Sequence, residues 1–487
     1  MDSHPELYSP TPTRFVDTLA RGRTSGIDSG AACRQDSYAS VAKSILSGID
    51  EAVALRCRNK PFQVAIVGGG VCGLACAVAL QRAGVPVEVF EAAAAFTEVG
   101  AGIGLGPNAI RVLKAIGVLD EVLKKTNPAE LKPKGFRFYS GLEGHELVYQ
   151  YPIYPEDASL SMHRAAFLDA LVGAVDPRTT HFNKRCTSIS DSPTNPARVI
   201  VHFADGSTQE ADVVLGADGI RSTVRDYVLG EVGKSVAFSN TVAYRFLIPH
   251  AALKAAGFKT DVSDTPACFM GPSKHIIVVP IKNGELINVA AFAARYDVPI
   301  GSQLLPEGSR WVEEVGREEM QKEYDGWGPD VTALLRCMPE RASRWSVHIV
   351  YPPLESYAKG HVALLGDAAH GMLPHLGAGA GQGLEDAYVL AGLLSHPEAS
   401  VGNIEAVLRT YSQTRRPRAQ DVWDASLRAG MTYDFHGQQG STVHALRGEL
   451  QDLWTPVWHY NLDGDLASAI SLLHQIGAFK TREAAET

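Results

Sequence analysis

Apolar and polar positions alternate with different periods along the chain. Gln63–Val67 is apolar without polar alternation, the pattern of a strand buried on both faces. A helical stretch to Ala83, then Gly84 and a second strand at Val85–Phe90 complete a βαβ unit. Helices are expected at Asn108–Ile116, Leu119–Lys124 and Arg164–Val175, and a hairpin at Phe136–Tyr139 and Leu147–Tyr151. Strands Val199–Phe203 and Ala211–Leu215 flank an Asp205-Gly206 turn. From about 236 to 352 the texture turns to β-like segments (Val242–Ile248, His275–Pro280, Leu286–Ala293) with few long helices. Val362–Leu365 is again a buried strand, and Leu384–Leu394 opens a helix-rich remainder.

This order predicts an α/β fold: a Rossmann-like nucleotide-binding domain interrupted by an antiparallel-sheet domain. The expected divisions are an N-terminal extension at 1–61, nucleotide-binding parts at 62–235 and 353–430, the sheet domain at 236–352, and a helical segment at 431–487. The extension reads as a poorly ordered tail, with one amphipathic helix possible at Ser40–Leu55. The uncharged run Val64–Leu80 is 17 residues long, short of the roughly 20 a membrane span needs, and Gly68-Gly69-Gly70 splits it into strand and helix.

Composition narrows the function classes. The 487 residues carry Lys+Arg 45 against Asp+Glu 54, a net charge of −9, which argues against nucleic-acid binding. The 7 cysteines show neither CxxC pairs nor metal-ligand spacing, so no metal site is expected and a reducing, cytoplasmic setting fits. No secretory signal is visible in the sequence.

Three motifs carry chemistry. The first, Gly68-Gly69-Gly70-Val71-Cys72-Gly73, is a GxGxxG between a strand and a helix. Gly68 serves the tight turn. Gly70 lets a pyrophosphate approach the helix N-terminus, and Gly73 lets helix and strand pack closely. Glu91 ends the second strand, where a carboxylate can accept from the ribose hydroxyls of an adenosine. The pattern fits FAD and NAD equally. The second motif runs from Gly216-Ala217-Asp218-Gly219 to Arg225, and a turn with a capped helix explains it as well as a ligand does. The third is Gly366-Asp367-Ala368-Ala369-His370 followed by Pro374-His375-Leu376-Gly377-Ala378-Gly379-Ala380-Gly381-Gln382-Gly383. Its glycines keep side chains off a flat ligand, and a helix N-terminus there would stabilise negative charge on a reduced flavin. Asp367 can accept from ribityl hydroxyls or start a helix.

In this order and spacing the motifs resemble the class A flavoprotein monooxygenases, the aromatic hydroxylases, and within them the salicylate hydroxylase-like branch. The resemblance covers about 62 to 430, with a weaker echo at Trp454–Tyr460. It implies bound FAD, with NADH or NADPH as a visiting co-substrate. Gly68, Gly70, Gly73 and Glu91 would bind the ADP part, and Gly104 would add a backbone contact. Arg164 would lie near FAD, Asp218, Gly219 and Arg225 would serve FAD and pyridine nucleotide, and Asp367 and Ala380 would contact the flavin side. The implied reaction is hydroxylation of a phenolic substrate with O2 through a flavin C4a-hydroperoxide, with salicylate to catechol as the family default. A tailoring hydroxylase of larger polyketide-type phenols is the alternative. A non-catalytic escort protein on the same scaffold and an NAD-dependent dehydrogenase are the readings of other classes.

Arg245, in Ala243-Tyr244-Arg245-Phe246, matches a family arginine that can face the pocket, and a cation there would hold a phenolate or carboxylate. A structural ion pair is the competing role for Arg245. Tyr244 reads as core, and His375 stands as a possible base near the flavin. Many relatives carry Tyr-Pro where this chain has Val279-Pro280, which leaves the pocket more apolar and weakens the analogy to dearomatising phenol hydroxylases.

Overall fold

The computed structural model describes residues 60–96, 102–230, 233, 235–305 and 308–480. The helix expected at 40–55, and all of the N-terminal extension before Lys60, lie outside these residues.

Two sheets organise the described chain. The first has six strands in the order Ala358–Lys359, Val362–Leu364, Val213–Gly216, Val64–Val67, Val87–Phe90, Thr180–His181. All are parallel except the short edge pair at 358–364. Val64–Val67 is central and every residue in it is buried, which accounts for its lack of polar alternation. Helix Val71–Arg82 follows and packs against helix Gly379–Ser395. The latter is buried all round from Gly381 to Leu394, because helices Pro107–Ala115, Ile404–Tyr433 and Leu462–Gln475 also press on it.

The second sheet has eight strands in the order Val312–Gly316, Arg341–Val350, Val236–Pro249, Leu286–Ala294, Lys274–Ile281, Ala267–Gly271, Phe136–Ser140, Leu147–Tyr151. Its last two strands are the hairpin at 136–151, expected within the nucleotide-binding part. Phe136–Ser140 pairs in parallel with Ala267–Gly271, so the sheet recruits strands from before residue 235. One face of the sheet packs on helices His250–Ala255, Arg317–Glu323 and Pro329–Arg336 through Tyr244, Phe246, Ile276 and Val278. The period of two turns Ala243, Arg245, Ile277 and Val279 to the opposite face, where cavities lie.

Two element boundaries differ from expectation. The Asp205-Gly206 turn returns as Thr208–Ala211, and Val213–Gly216 is a separate strand of the first sheet. The glycine-rich segment does not precede its helix but forms its first turns, because the helix begins at Gly379 rather than Leu384. The reason is close packing: a Cβ on Gly383 would lie 2.2 Å from Cys72 Sγ, and one on Gly381 would lie 3.0 Å from Asn108 Nδ2. Among the described residues no helix is long and apolar enough to cross a membrane.

Candidate active site

The strand Val64–Val67 delivers the chain to Gly68, whose φ is +109°. A Cβ on Gly68 would lie 2.3 Å from the Ala217 carbonyl oxygen, and one on Gly73 only 2.0 Å from the Gly68 carbonyl oxygen. Both positions therefore need glycine for turn and packing. Gly70 is different: nothing lies within 4 Å of where its Cβ would be. It is the N-cap of Val71–Arg82, with no side-chain cap and no acid in the first turn. The N–H groups of that helix end stay available beside open space, as a pyrophosphate requires. Glu91 is oriented by two backbone donors, Gly69 N–H to Oε2 at 2.7 Å and Ala93 N–H to Oε1 at 2.8 Å. Each oxygen keeps a lone pair for a ribose hydroxyl. The residues present fit the ADP part of a dinucleotide.

The other expected cofactor residues divide. Gly104 lies in strand Gly102–Leu105, opposite Ser161, and its open side lines a cavity of about 270 Å³. Pro374–Gly377 and Val279 line the same cavity. Ala380 is the second residue of the uncapped helix Gly379–Ser395. Arg164 starts helix Arg164–Val172 directly after the strand that pairs with Gly104. Asp367 is exposed at the start of the short helix Asp367–His370, whose N-cap is Gly366.

Asp218 departs from the expectation. Its carboxylate accepts from Ser222 Oγ at 2.5 Å and from the Thr223 and Val224 N–H groups at 2.7 and 3.2 Å. It thus serves the start of helix Thr223–Leu229, while burial pushes its carboxyl above the ordinary range against those bonds. Arg225 is likewise bound inside the protein, donating to Ser235 Oγ and to the Ile220 and Ala368 carbonyls. Both side chains are thus engaged by groups of the protein itself.

A second cavity, of about 410 Å³, is walled by Arg245, Trp345, Phe292, Met372 and Asp367. The Arg245 guanidinium lies over the Trp345 ring at 5.8 Å. Among the described residues no carboxylate pairs with it. Burial, and then the nearby charge of Arg164, lower its affinity for its own proton. A desolvated cation with no anion of its own is an anion-binding group. Tyr244, one residue earlier, faces the other way, is buried, and donates to Glu319 Oε1 at 3.0 Å.

Pro374, His375 and Ile277 line both cavities. His375 is buried, and desolvation followed by the field of His275 holds it well below the usual imidazole range, so its ring is neutral. The sequence marked His375 but neither His275 nor Asp434, which stand behind it. Val279 lines the cavity of Gly104, not that of Arg245.

The described residues form a dinucleotide cradle beside an apolar cavity that carries Arg245, an arrangement that fits a flavoprotein. The chain belongs to the FAD binding domain family, which matches residues 61–426. It is 38% identical over 418 residues to a salicylate hydroxylase of Pseudomonas putida, covering 84% of this chain and 94% of that protein. It is 33% identical over 416 residues to a 6-methylsalicylate 1-monooxygenase of Aspergillus terreus, covering 82% and 88%. A solved salicylate hydroxylase substrate complex is 31% identical, with a TM-score of 0.75 over 84% of this chain and 98% of that one. The chain is an FAD-dependent aromatic monooxygenase with NADH or NADPH as its reducing co-substrate. This sets aside the dehydrogenase and the non-catalytic escort.

Proposed function

We propose that the substrate is a small phenolic acid of the salicylate type, hydroxylated with O2 and NAD(P)H, with salicylate to catechol as the reaction of first choice. Arg245 carries the reading: it is a desolvated cation without an internal anion, on the wall of an apolar cavity beside the flavin-side loop. It would hold the carboxylate or phenolate and favour ionisation of the phenol. Phe292, Trp345 and Ile277 offer flat apolar surface for the ring and exclude water. His375, neutral and at the junction of the cavities, would accept the phenolic proton. Bound FAD supplies hydride acceptance and oxygen activation. The relatives named for salicylate and 6-methylsalicylate support the same substrate class.

The test is NADH and NADPH oxidation across a panel of phenols, with product identification. Stimulated oxidation with a hydroxylated product supports the proposal. Consumption of NAD(P)H without hydroxylated product from any phenol overturns it.

The junction of two cavities at Pro374–His375 favours one second reading, a larger phenolic substrate of the polyketide type that extends past Val279. Hydroxylation of bulky phenols at rates above salicylate would replace the first reading with this one.

A further inference from the structure

The strand Lys274–Ile281 and the end of helix Ile404–Tyr433 bring together a buried group that lines neither cavity. His275 and Asp434 are both 0% exposed, and His275 Nδ1 lies 2.7 Å from Asp434 Oδ1. The other carboxylate oxygen accepts from Tyr296 OH at 2.7 Å. The His275 ring stacks on Phe292 and meets the edges of His375 and Tyr433, with centroids at 4.9 and 5.2 Å. Among the described residues, His275 Nε2 and His375 Nδ1 are both buried nitrogens without a hydrogen-bond partner. Two such nitrogens on rings in contact are an unusual expense in a core, since an unpaired buried polar atom costs about 1–3 kcal/mol.

The same helix end shapes the site around His375. Tyr433 OH donates to the His375 carbonyl at 3.3 Å, and a Cβ on Gly430 would lie 2.4 Å from the His375 ring. Gly430, Tyr433 and Asp434 therefore set where that ring can sit.

We propose that His275 and Asp434 are positioning residues that hold His375 in place as acceptor of the phenolic proton. This rests on the proposed function, in which His375 takes that proton. The O–H bond of the phenol breaks with both electrons left on oxygen, and the new N–H bond forms on the neutral imidazole. Asp434 fixes the His275 ring through Nδ1, and the His275 ring, wedged between Phe292 and Tyr433, supports His375 from behind. The other groups facing the pair are the hydroxyl of Tyr324, at 3.5 Å from the His275 carbonyl, and the buried thiol of Cys268. Burial pushes both above their ordinary ranges, so neither adds a charge.

The test uses the FAD-loaded enzyme carrying Asp434→Asn, His275→Gln or Tyr296→Phe. FAD content and thermal melting are followed alongside salicylate-stimulated NAD(P)H oxidation from pH 5 to 9. The expected result is a fall in kcat of about tenfold or more for the first two, with KM little changed, as for a lost proton-transfer arrangement. The field of His275 lowers His375, so disturbing the pair moves the acid limb of the profile to higher pH. Tyr296→Phe removes one hydroxyl donor from Asp434 and keeps both His275 and Asp434, so it serves if the others fail to fold; a smaller displacement is expected, in the opposite sense because the carboxylate loses a donor. In a His375→Gln background, adding Asp434→Asn changes kcat less than about twofold. Equal losses in both backgrounds, or an unmoved acid limb in every variant that folds, overturn the inference. If the wild-type enzyme hydroxylates no phenol, the proposed function fails separately. Ring-nitrogen NMR of the labelled holoenzyme then decides the coupling: a His375 titration that shifts in Tyr296→Phe or Asp434→Asn sustains it, and an identical one overturns it.

Discussion

Two arginines, the buried Arg415 and the half-buried Arg245, show how the same side chain serves opposite ends. Arg415 is fully buried beneath the glycine-rich helix, between two carboxylates. Its Nε donates to Asp386 Oδ1 at 2.9 Å, Nη1 lies 3.0 Å from Glu385 Oε2, and Nη2 donates to Gln382 Oε1 at 3.0 Å. Burial alone would weaken its hold on the proton, but Glu385 and Asp386 outweigh that and strengthen it. Asp386 also accepts from His370 Nε2 at 2.6 Å and from the Gly366 N–H at 2.9 Å, so the cluster ties the flavin-side loop to the long helix. Arg245 is partly buried without the carboxylates, and desolvation lowers its affinity for the proton. A paired buried cation fixes structure, and the proposed function gives the unpaired one beside a cavity a ligand to hold.

The comparison breaks first at Arg415. Arg415→Met leaves Glu385 with Arg418 and Asp386 with His370 but removes the cation the two carboxylates share, and removing one partner of a buried cluster of this kind destabilises by up to about 3–5 kcal/mol. Chemical denaturation should show that loss, with FAD released early in the transition. A variant as stable as the parent would mean that the cluster is not what holds the loop.

Arg245→Met should do the reverse. Stability and FAD content stay at parental levels, since no internal anion loses its partner. Substrate-stimulated turnover falls about 10²-fold, the scale of one lost charge-stabilising contact. Stopped-flow reduction with and without salicylate measures it. Loss of FAD, or a melting temperature depressed as in Arg415→Met, would make Arg245 structural.

The contrast also explains what the sequence could and could not disclose. The cofactor side was legible because it is local. A strand, a turn and a helix N-terminus put Gly68, Gly70 and Gly73 within one βαβ unit, and the acid at Glu91 follows the next strand. Arg245 was legible because a period of two separates it from the core-facing Tyr244 and Phe246. The start of helix Gly379–Ser395 was not: glycines read as loop by propensity, yet packing against Cys72 and Asn108 favours the helix over that preference. Nor was His275–Asp434, whose partners are 159 positions apart and meet only when the helix end docks on the sheet. An expected division at residue 430 even separated Gly430 from Tyr433 and Asp434. For Asp218 the sequence leaves two uses open, because a carboxylate before a helix can serve the helix start or a ligand, and the hydrogen bonds to Thr223 and Val224 exist only in the fold.

A smaller change sharpens the role of Arg245. Arg245→Lys keeps the charge and loses the planar fork that can bind a carboxylate through two parallel N–H bonds. The expected loss is intermediate, about tenfold in kcat/KM. A substrate held by charge alone would leave Lys as good as Arg, whereas a loss as large as that of Arg245→Met would show geometry dominating.

The least severe change lies on the cofactor side, at Glu91. Its two oxygens accept from the Gly69 and Ala93 N–H groups, so the side chain is held before any ligand arrives. Glu91→Gln keeps the shape but replaces one acceptor with an NH2 group that must face one of those N–H donors. One hydrogen bond is lost, and the amide can no longer accept from both ribose hydroxyls through two oxygens. A net loss of about 1–1.5 kcal/mol weakens FAD binding roughly tenfold. Fluorescence titration of apoprotein with FAD reads it directly. Asp218→Asn gives the discriminating control: its carboxylate serves the helix Thr223–Leu229, so the same chemical change there should lower the melting temperature and leave FAD affinity within about twofold. Equal FAD losses from both variants would give Asp218 a part in the cofactor site and undo the division between an acid held beside the glycine turn and one that serves a helix start.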